Sequence, residues 1–445
     1  MLFSKTQSIC PDCFKRIDAV HVLENDTLYM EKTCDIHGLF RSKIWQGEQR
    51  YTQWVKPKIP IVKRFSMTAE QQGCPFDCGL CPEHRQHTCT AVLEVTSNCN
   101  LNCTFCFADS GHSKLAEDPS FEQICCLLAS VYETSGGCNL QISGGEPTLR
   151  KDLPGIIAKA KETGFDFIQL NTNGLLLAAD SGLAEELKTA GLSSVFLQFD
   201  GTSDDVYEKL RQKKLFSVKQ TAISACMDND IGIILVPTLV PGINVEQIGS
   251  ILQFALEHAP GVRGVHFQPI SYFGRHKGMP TDKDRITIPE ILTEIETQTQ
   301  KKFRQNNFKP SSCEHALCSF NGKFLIQDDG TIQPLLSFNS GCCQPIKAEQ
   351  GSRQAKDSVK RLWGAPDKQQ AVFPQALEDG LDRFIRQSRT HIFSVSGMAF
   401  QDAWNLDLER LKGCCIHSVA PDGRLIPFCA YNLTSNEGKG LYRHP

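Results

Sequence analysis

Ala91-Val-Leu-Glu-Val-Thr96 runs directly into Ser97-Asn98-Cys99-Asn-Leu-Asn-Cys103-Thr104-Phe105-Cys106. The first six residues are apolar and β-branched enough to form a buried strand. The loop that follows carries three thiols spaced Cys-x3-Cys-x2-Cys. Three closely spaced thiolates on a short loop hold three irons of a [4Fe-4S] cluster and leave the fourth iron for a ligand that is not protein. Cys99, Cys103 and Cys106 are therefore the candidate catalytic residues. The same spacing occurs upstream at Cys74, Cys78 and Cys81, but no strand precedes that copy.

Downstream, strand-like runs recur at Asn139–Ser143, Asp166–Asn171, Ser194–Asp200, Gly232–Val240 and Val262–Ser271. Helical spacing fills the gaps. Phe121, Ile124, Cys125, Leu128 and Tyr132 share one face, and Leu153, Ile156, Ile157 and Ala160 share another before Gly164. Regular βα alternation implies parallel strands joined by helical crossovers. Six such units predict an α/β fold, a partial (β/α)6 TIM-like barrel over residues 91–285. On this reading residues 1–65 form a rubredoxin- or zinc-ribbon-like metal module, 66–90 an auxiliary Cys-rich segment, and 286–445 a C-terminal Cys-rich α+β module.

In a parallel barrel, ligands gather at the C-terminal tips of the strands. The second strand ends in Ser143-Gly-Gly-Glu-Pro147, the third in Asn171-Thr-Asn-Gly174 and the fourth in Gln198-Phe-Asp-Gly201. Gly144 and Gly145 leave backbone carbonyls uncovered for a ligand amine, and Glu146 adds a negative end. Asn173, Gln198 and Asp200 are further candidates for cofactor contact. Asn173 and Asp200 fit a loop-capping role equally well.

The remaining cysteines suggest more metal. Cys10-Pro-Asp-Cys13 and Cys34-Asp-Ile-His37 are two ligand pairs on short turns, the pattern of a closed Cys3His site for Zn or Fe; the alternative makes His37 a turn residue and leaves the site incomplete. Cys74, Cys78 and Cys81, with Cys89 as a fourth thiolate, suit an electron-transferring cluster, or else a zinc knuckle. Cys313, Cys318, Cys414, Cys415 and Cys429 offer five ligands for a second auxiliary cluster. The vicinal pairs Cys342-Cys343 and Cys414-Cys415 also read as reactive thiols, and the whole set as a zinc staple. Asp328-Asp-Gly330 and Pro421-Asp-Gly423 lie between β-prone runs and predict two hairpins. The polar stretch 348–379 reads as a long loop or surface helices.

Composition narrows the classes. The chain has 445 residues, 40% hydrophobic and 22% charged, with a net charge of −3. That balance gives no basic footprint for nucleic acid. No segment has the length of a signal peptide or membrane span, which predicts a cytoplasmic protein. The 21 cysteines, odd in number and clustered, suit metal binding in a reducing compartment better than disulfides.

Cys99-x3-Cys103-Thr-Phe105-Cys106 together with Gly144-Gly-Glu-Pro147 resembles the radical SAM superfamily. The resemblance covers residues 91–275 and includes the aromatic Phe105. It implies that the open iron chelates the amino and carboxylate groups of S-adenosylmethionine. One electron then splits the sulfonium, giving methionine and a 5′-deoxyadenosyl radical that abstracts hydrogen. Gly144, Gly145 and Glu146 become the contacts of the methionine amine. A low-potential donor such as ferredoxin or flavodoxin is implied. The N-terminal Cys/His unit and Gly73-Cys-Pro-Phe-Asp-Cys-Gly-Leu-Cys-Pro82 resemble the branch around tetraether lipid synthase and the hydroxymethylpterin methylase-like proteins. Pro427-Phe-Cys-Ala-Tyr-Asn432 resembles a related set that includes selenoproteins, although every such position here is cysteine. C–C coupling, methylation-type chemistry, and small-molecule, lipid or peptide substrates all stay open. So do two non-catalytic readings, an electron-transfer Fe–S protein and a zinc-rich binding scaffold.

Overall fold

The computed structural model describes residues 1–47, 51–55, 58–61, 66–111, 117–276, 278–335, 345–365 and 390–443. An antiparallel ribbon comes first: β1 (Leu2–Ile9), β2 (Arg16–Glu24), β3 (Thr27–Cys34) and β4 (Gly38–Gln46), in sequential order. After the short β5 (Lys58–Ile59), the expected strands follow as β6 (Thr90–Thr96), β7 (Asn139–Gly144), β8 (Ile168–Thr172), β9 (Ser194–Gln198) and β10 (Gly232–Val236). A two-residue β11 (Thr238–Leu239) and β12 (Val262–Pro269) complete them. The neighbours from β6 through β10 to β12 all pair in parallel.

The C-terminal segment supplies β13 (Ser319–Ile326), β14 (Ile332–Pro334), β15 (Ile346–Lys347), β16 (Ile392–Met398), β17 (Ile416–Val419) and β18 (Leu425–Pro427). Both predicted hairpins form, β13 with β14 and β17 with β18. All of these but β15, which pairs with β5, extend the barrel sheet at its two edges. β16 lies parallel beside β12, and β17 lies parallel beside β6, with Ile416 opposite Thr90.

The helices begin and end where local chemistry dictates. Phe121–Ser135 starts at Ser120 with a capping box closed by Gln123 and stops at left-handed Gly136. Side chains alternate along the strands. Leu93, Val95, Leu140, Ile142, Val195 and Leu197 pack in the apolar core. Their neighbours Val92, Gln141, Ser143, Phe196 and Gln198 line a cavity inside the partial barrel. A strand's period of two thus separates a greasy outer layer from a mixed polar and aromatic lumen.

Of the long loop or surface helices expected over 348–379, Ala348–Trp363 forms a helix, and residues 366–379 lie outside the described residues. Asp357, Arg361 and Trp363 line the lumen, and the Leu362 carbonyl accepts from Arg263 Nε at 3.2 Å. Its polar residues divide between solvent and the cavity rim, while Ala348, Gly351, Ser352 and Leu362 are buried. Among the described residues, no helix is long and apolar enough to cross a membrane.

Candidate active site

β6 delivers the three-thiol loop, and the loop is stitched down on every side. Asp118 accepts from Thr96 Oγ1 at 2.6 Å, the Ser97 amide at 2.9 Å and Asn98 Nδ2 at 3.0 Å. Arg275 exchanges backbone hydrogen bonds with Cys106, both 3.0 Å, and donates through Nε to the Cys103 carbonyl at 2.9 Å. Cys99, Cys103, Phe105 and Cys106 then face one cavity of about 1230 Å³, shared with Gly144, Gly145, Glu146, Asn173 and Gln198. The sequence motifs from four strand tips therefore converge.

Gly144 and Gly145 have a tighter constraint than ligand approach. A Cβ on Gly144, at φ +132°, would meet the Thr96 carbonyl oxygen at 2.3 Å. One on Gly145 would meet the Asn98 carbonyl oxygen at 2.1 Å. The Gly145 and Glu146 amides donate to those same two carbonyls at 2.8 and 2.7 Å. The glycines let the second strand tip lock onto the root of the cysteine loop. Gly145→Ala is expected to lower stability by about 1–3 kcal/mol through forced backbone shifts and to reduce iron loading, read by thermal unfolding and iron assay.

Glu146 is 1% exposed. Its Oε1 accepts from Thr148 Oγ1 and Thr172 Oγ1, each at 2.6 Å, and its Oε2 accepts from the Asn173 amide at 2.7 Å. Oε2 retains acceptor capacity for a ligand amine. Asn173 is a capping residue as well as a lining one. Its Oδ1 accepts from the Leu175 amide at 2.9 Å, and its Nδ2 donates to Asn100 Oδ1 at 2.7 Å. Gln198 accepts from Lys219 Nζ at 3.0 Å.

Asp200 departs from the expected role. It is fully buried and accepts from Arg211 Nε and Nη2 at 2.7 and 2.8 Å, so it braces the site from beneath. Burial opposes the Arg211 charge, but Asp200 and then Cys103 hold the guanidinium's pKa above its ordinary value. Arg211, which lines the cavity, thus places a fixed positive charge beside Cys103. Burial pulls the Lys219 ammonium down to about 8, against the attraction of Asp200. Burial, then Glu146 and the two other loop thiols, pushes Cys99 up to about 11, so an arriving cation must displace its proton. Arg211, Lys219 and Arg275 had no sequence signal, since each lies outside the motifs and reaches the site only through tertiary packing.

The other cysteines sort into one group that spacing revealed and others that it did not. Ligand atoms of Cys10, Cys13, Cys34 and His37 all lie within 4.8 Å of one another, as a closed tetrahedral site requires. His37 Nδ1 stands 3.4 Å from Cys10 Sγ and 3.5 Å from Cys34 Sγ. Cys74, Cys78 and Cys81 are buried and share a small pocket with His84. Tyr442 pins their loop through the Pro75 and Phe76 carbonyls at 2.7 and 2.6 Å.

Cys89 does not join them. It groups with Cys313 and Cys415, all three thiols within 4.8 Å, and the Cys89 and Cys415 Sγ atoms are 3.0 Å apart. The reason is topological: Cys89 and Cys415 each precede one of two adjacent parallel strands, β6 and β17. Glu314 Oε2 is buried with no hydrogen-bond partner, and Cys89 acts electrostatically on that carboxyl, already raised by burial. An orphaned carboxylate oxygen and three converging thiols fit a metal centre. The five C-terminal cysteines therefore do not share one site. Arg410 donates to Cys318 Sγ at 3.0 Å and also feels Cys429; Cys414 feels Cys429 and Cys318. Adjacent residues entering a strand point to opposite faces, which divides Cys414 from Cys415. Cys342 and Cys343 lie outside the described residues.

The description "Radical SAM superfamily" matches residues 93–255, and "HMPTM N-terminal zinc ribbon domain" matches residues 2–46. The chain is 34% identical over 471 aligned residues to the 7,8-dihydro-6-hydroxymethylpterin dimethyltransferase of Methanocaldococcus jannaschii, covering 96% of this chain and 93% of that protein. It is 29% identical over 252 residues to a probable GTP 3′,8-cyclase of the same organism, covering 55% and 83%. Among solved structures, Streptococcus suis SuiB bound to S-adenosylmethionine aligns over 49% of this chain and 47% of its own, at 14% identity and a TM-score of 0.38. Since the strand-tip motifs and a near-full-length relative agree, the chain belongs to the radical SAM superfamily: it is an enzyme that uses a [4Fe-4S] cluster and S-adenosylmethionine, with a zinc ribbon at its N-terminus.

Proposed function

We propose that this enzyme methylates a ring carbon of a small planar heterocycle of the dihydropterin kind. The observation that carries the reading is the shape of the cavity. It begins at Cys99, Cys103 and Cys106 and runs through the lumen to an aromatic trio, Phe196, His266 and Trp363. Their ring centroids are 5.3 to 5.6 Å apart, with Phe196 and Trp363 stacked at 30°. Burial holds His266 down at about 3, so it presents a neutral ring, its Nδ1 2.9 Å from Ser396 Oγ. A flat ring suits such a seat. The pterin named for the methanogen relative supports the choice of heterocycle.

When bound, the cluster and S-adenosylmethionine supply one-electron cleavage and a hydrogen-abstracting radical. The chain's own residues do the positioning. Cys99, Cys103 and Cys106 hold three irons, Glu146 Oε2 and the neighbouring strand-tip carbonyls receive an amine, and Arg211 keeps a positive charge beside Cys103. The Cys74/Cys78/Cys81 and Cys89/Cys313/Cys415 groups are assigned auxiliary metals, with electrons entering from ferredoxin or flavodoxin. Residues 1–65, 66–90, 91–285 and 286–445 are the functional units, and a cytoplasmic setting suits the many free thiols.

The test is an anaerobic incubation of reduced enzyme with S-adenosylmethionine and 6-hydroxymethyl-7,8-dihydropterin, followed by mass spectrometry. The expected product gains the mass of one methylene, C–H becoming C–CH3 with the methyl taken from a second molecule of S-adenosylmethionine, which leaves as S-adenosylhomocysteine, and two electrons in all drawn from the reductant. Formation of 5′-deoxyadenosine with the pterin and related flat heterocycles unchanged would contradict the proposal.

A further inference from the structure

Lys219 is the fourth residue of helix Phe216–Asp228, at the end of a helix that disfavours a cation, and its side chain is fully buried. Its Nζ donates to the Asn173 carbonyl at 2.5 Å and to Gln198 Oε1 at 3.0 Å. Both acceptors are neutral. Asp200, the anion that acts on Lys219 most, is already engaged by both Nε and Nη2 of Arg211. Holding an ammonium in the interior on neutral acceptors costs stability that an apolar side chain there would not. The fold alone therefore gives no reason for a lysine at this position.

What the ammonium decides is which way the Gln198 amide points. That side chain has an accepting end and a donating end of nearly the same shape. Lysine only donates, so it selects the oxygen. On the other side, Gln198 Nε2 donates to Asp200 Oδ2, and a carboxylate held by a guanidinium only accepts. Both neighbours thus demand one orientation. The first Nε2 hydrogen is used on Asp200, and the second has no partner among the described residues. Gln198 lines the cavity at its strand tip, together with Asn173 and Glu146. The Asn173 amide, next to the carbonyl that Lys219 grips, donates to Glu146 Oε2 at 2.7 Å. One buried cation therefore ties two adjacent strand tips of the site.

We propose that Lys219 is a positioning residue for S-adenosylmethionine: it turns the Gln198 amide so that the free N–H meets an acceptor oxygen of the bound compound, in its carboxylate or its ribose. Lys219, being fully buried, acts only through Gln198 and the Asn173 carbonyl. This role is independent of the heterocycle and of how it reacts.

The test is calorimetric titration of the anaerobically reconstituted full-length enzyme with S-adenosylmethionine, its clusters left oxidised so that no cleavage occurs. Lys219→Met and Gln198→Met are each expected to weaken binding about tenfold, the loss of one aligned hydrogen bond. Adding Gln198→Met to Lys219→Met should cost less than about twofold more, because the amide there is no longer oriented. In the reduced enzyme, KM for S-adenosylmethionine should rise with Kd while kcat for 5′-deoxyadenosine changes far less. Unchanged affinity of Lys219→Met, or a full further loss in the double variant, overturns the role. If Lys219→Met fails to fold, Gln198→Met decides alone, and wild-type affinity there overturns the proposal. Two fragments separate the oxygens. Methionine carries the carboxylate without a ribose, and 5′-methylthioadenosine the ribose without a carboxylate. Weaker binding of one fragment by Lys219→Met supports the proposal and names the oxygen. Weaker binding of both, a general loss of the pocket, or of neither overturns it.

Discussion

A Cys103→Ala enzyme is expected to form no 5′-deoxyadenosine above background, while keeping its ribbon metal and its auxiliary iron. Cys103 is one of three thiols at the barrel mouth, and its carbonyl is held by Arg275. Losing it leaves two ligands where three irons need them. The ribbon's four ligands, gathered separately within 4.8 Å of one another, are untouched. The other two thiol groups are also built from different residues. Product analysis after chemical reduction, with zinc and iron assays on the same sample, checks this. Surviving cleavage would move the cluster elsewhere. Loss of all metals together would mean that the fold had failed, which an unchanged far-ultraviolet circular dichroism spectrum guards against.

The second large effect is expected at Asp200. Its carboxylate is 0% exposed and forms a bidentate pair with Arg211, whose side chain is 8% exposed, and it also accepts from the Thr238 amide at 3.2 Å. Removing one partner of such a pair strands the other charge without solvent, which costs about 3–5 kcal/mol. That is a large fraction of an ordinary domain's stability. Asp200→Ala should therefore lower the urea midpoint markedly at constant m-value. Replacing both partners by leucine and methionine should recover much of the stability, because the buried charge disappears. The double variant should still bind S-adenosylmethionine poorly, since the cation beside Cys103 is gone. A loss below about 1 kcal/mol for Asp200→Ala would mean that water reaches Arg211.

These two residues also mark where the sequence was legible. The cysteine loop, the Gly-Gly-Glu tip and six strand positions were readable because each is local: a thiol spacing, a turn, a period of two. The zinc ribbon closed as expected for the same reason, two short-range ligand pairs. Asp200 was visible as a polar strand tip, but its engagement by Arg211 was not, because which neighbour faces a carboxylate is decided by packing. The two glycines were visible as a strand-tip turn, but what constrains them was not. Their constraint is the backbone at Thr96 and Asn98, which arrives from another strand.

The partition of cysteines was least legible. Cys89 looked like a fourth thiolate for the loop of Cys74, Cys78 and Cys81 just upstream, since proximity in sequence was all that could be weighed. Pairing of β6 with β17 joins segments separated by more than 300 residues and brings Cys89 against Cys415. The same edge pairing turns Cys414 the other way. Helix Ala348–Trp363 was similarly opaque, for a polar helix face toward solvent and one toward a polar lumen have the same composition.

The account stands on a cluster iron that the chain leaves open for S-adenosylmethionine. Electron paramagnetic resonance of the anaerobic, reduced enzyme, recorded before and after adding that compound, tests it most directly. One [4Fe-4S] signal is expected to change shape on addition and to be missing from Cys103→Ala, while the remaining signals persist. A fully loaded enzyme whose spectrum is indifferent to S-adenosylmethionine would contradict the account.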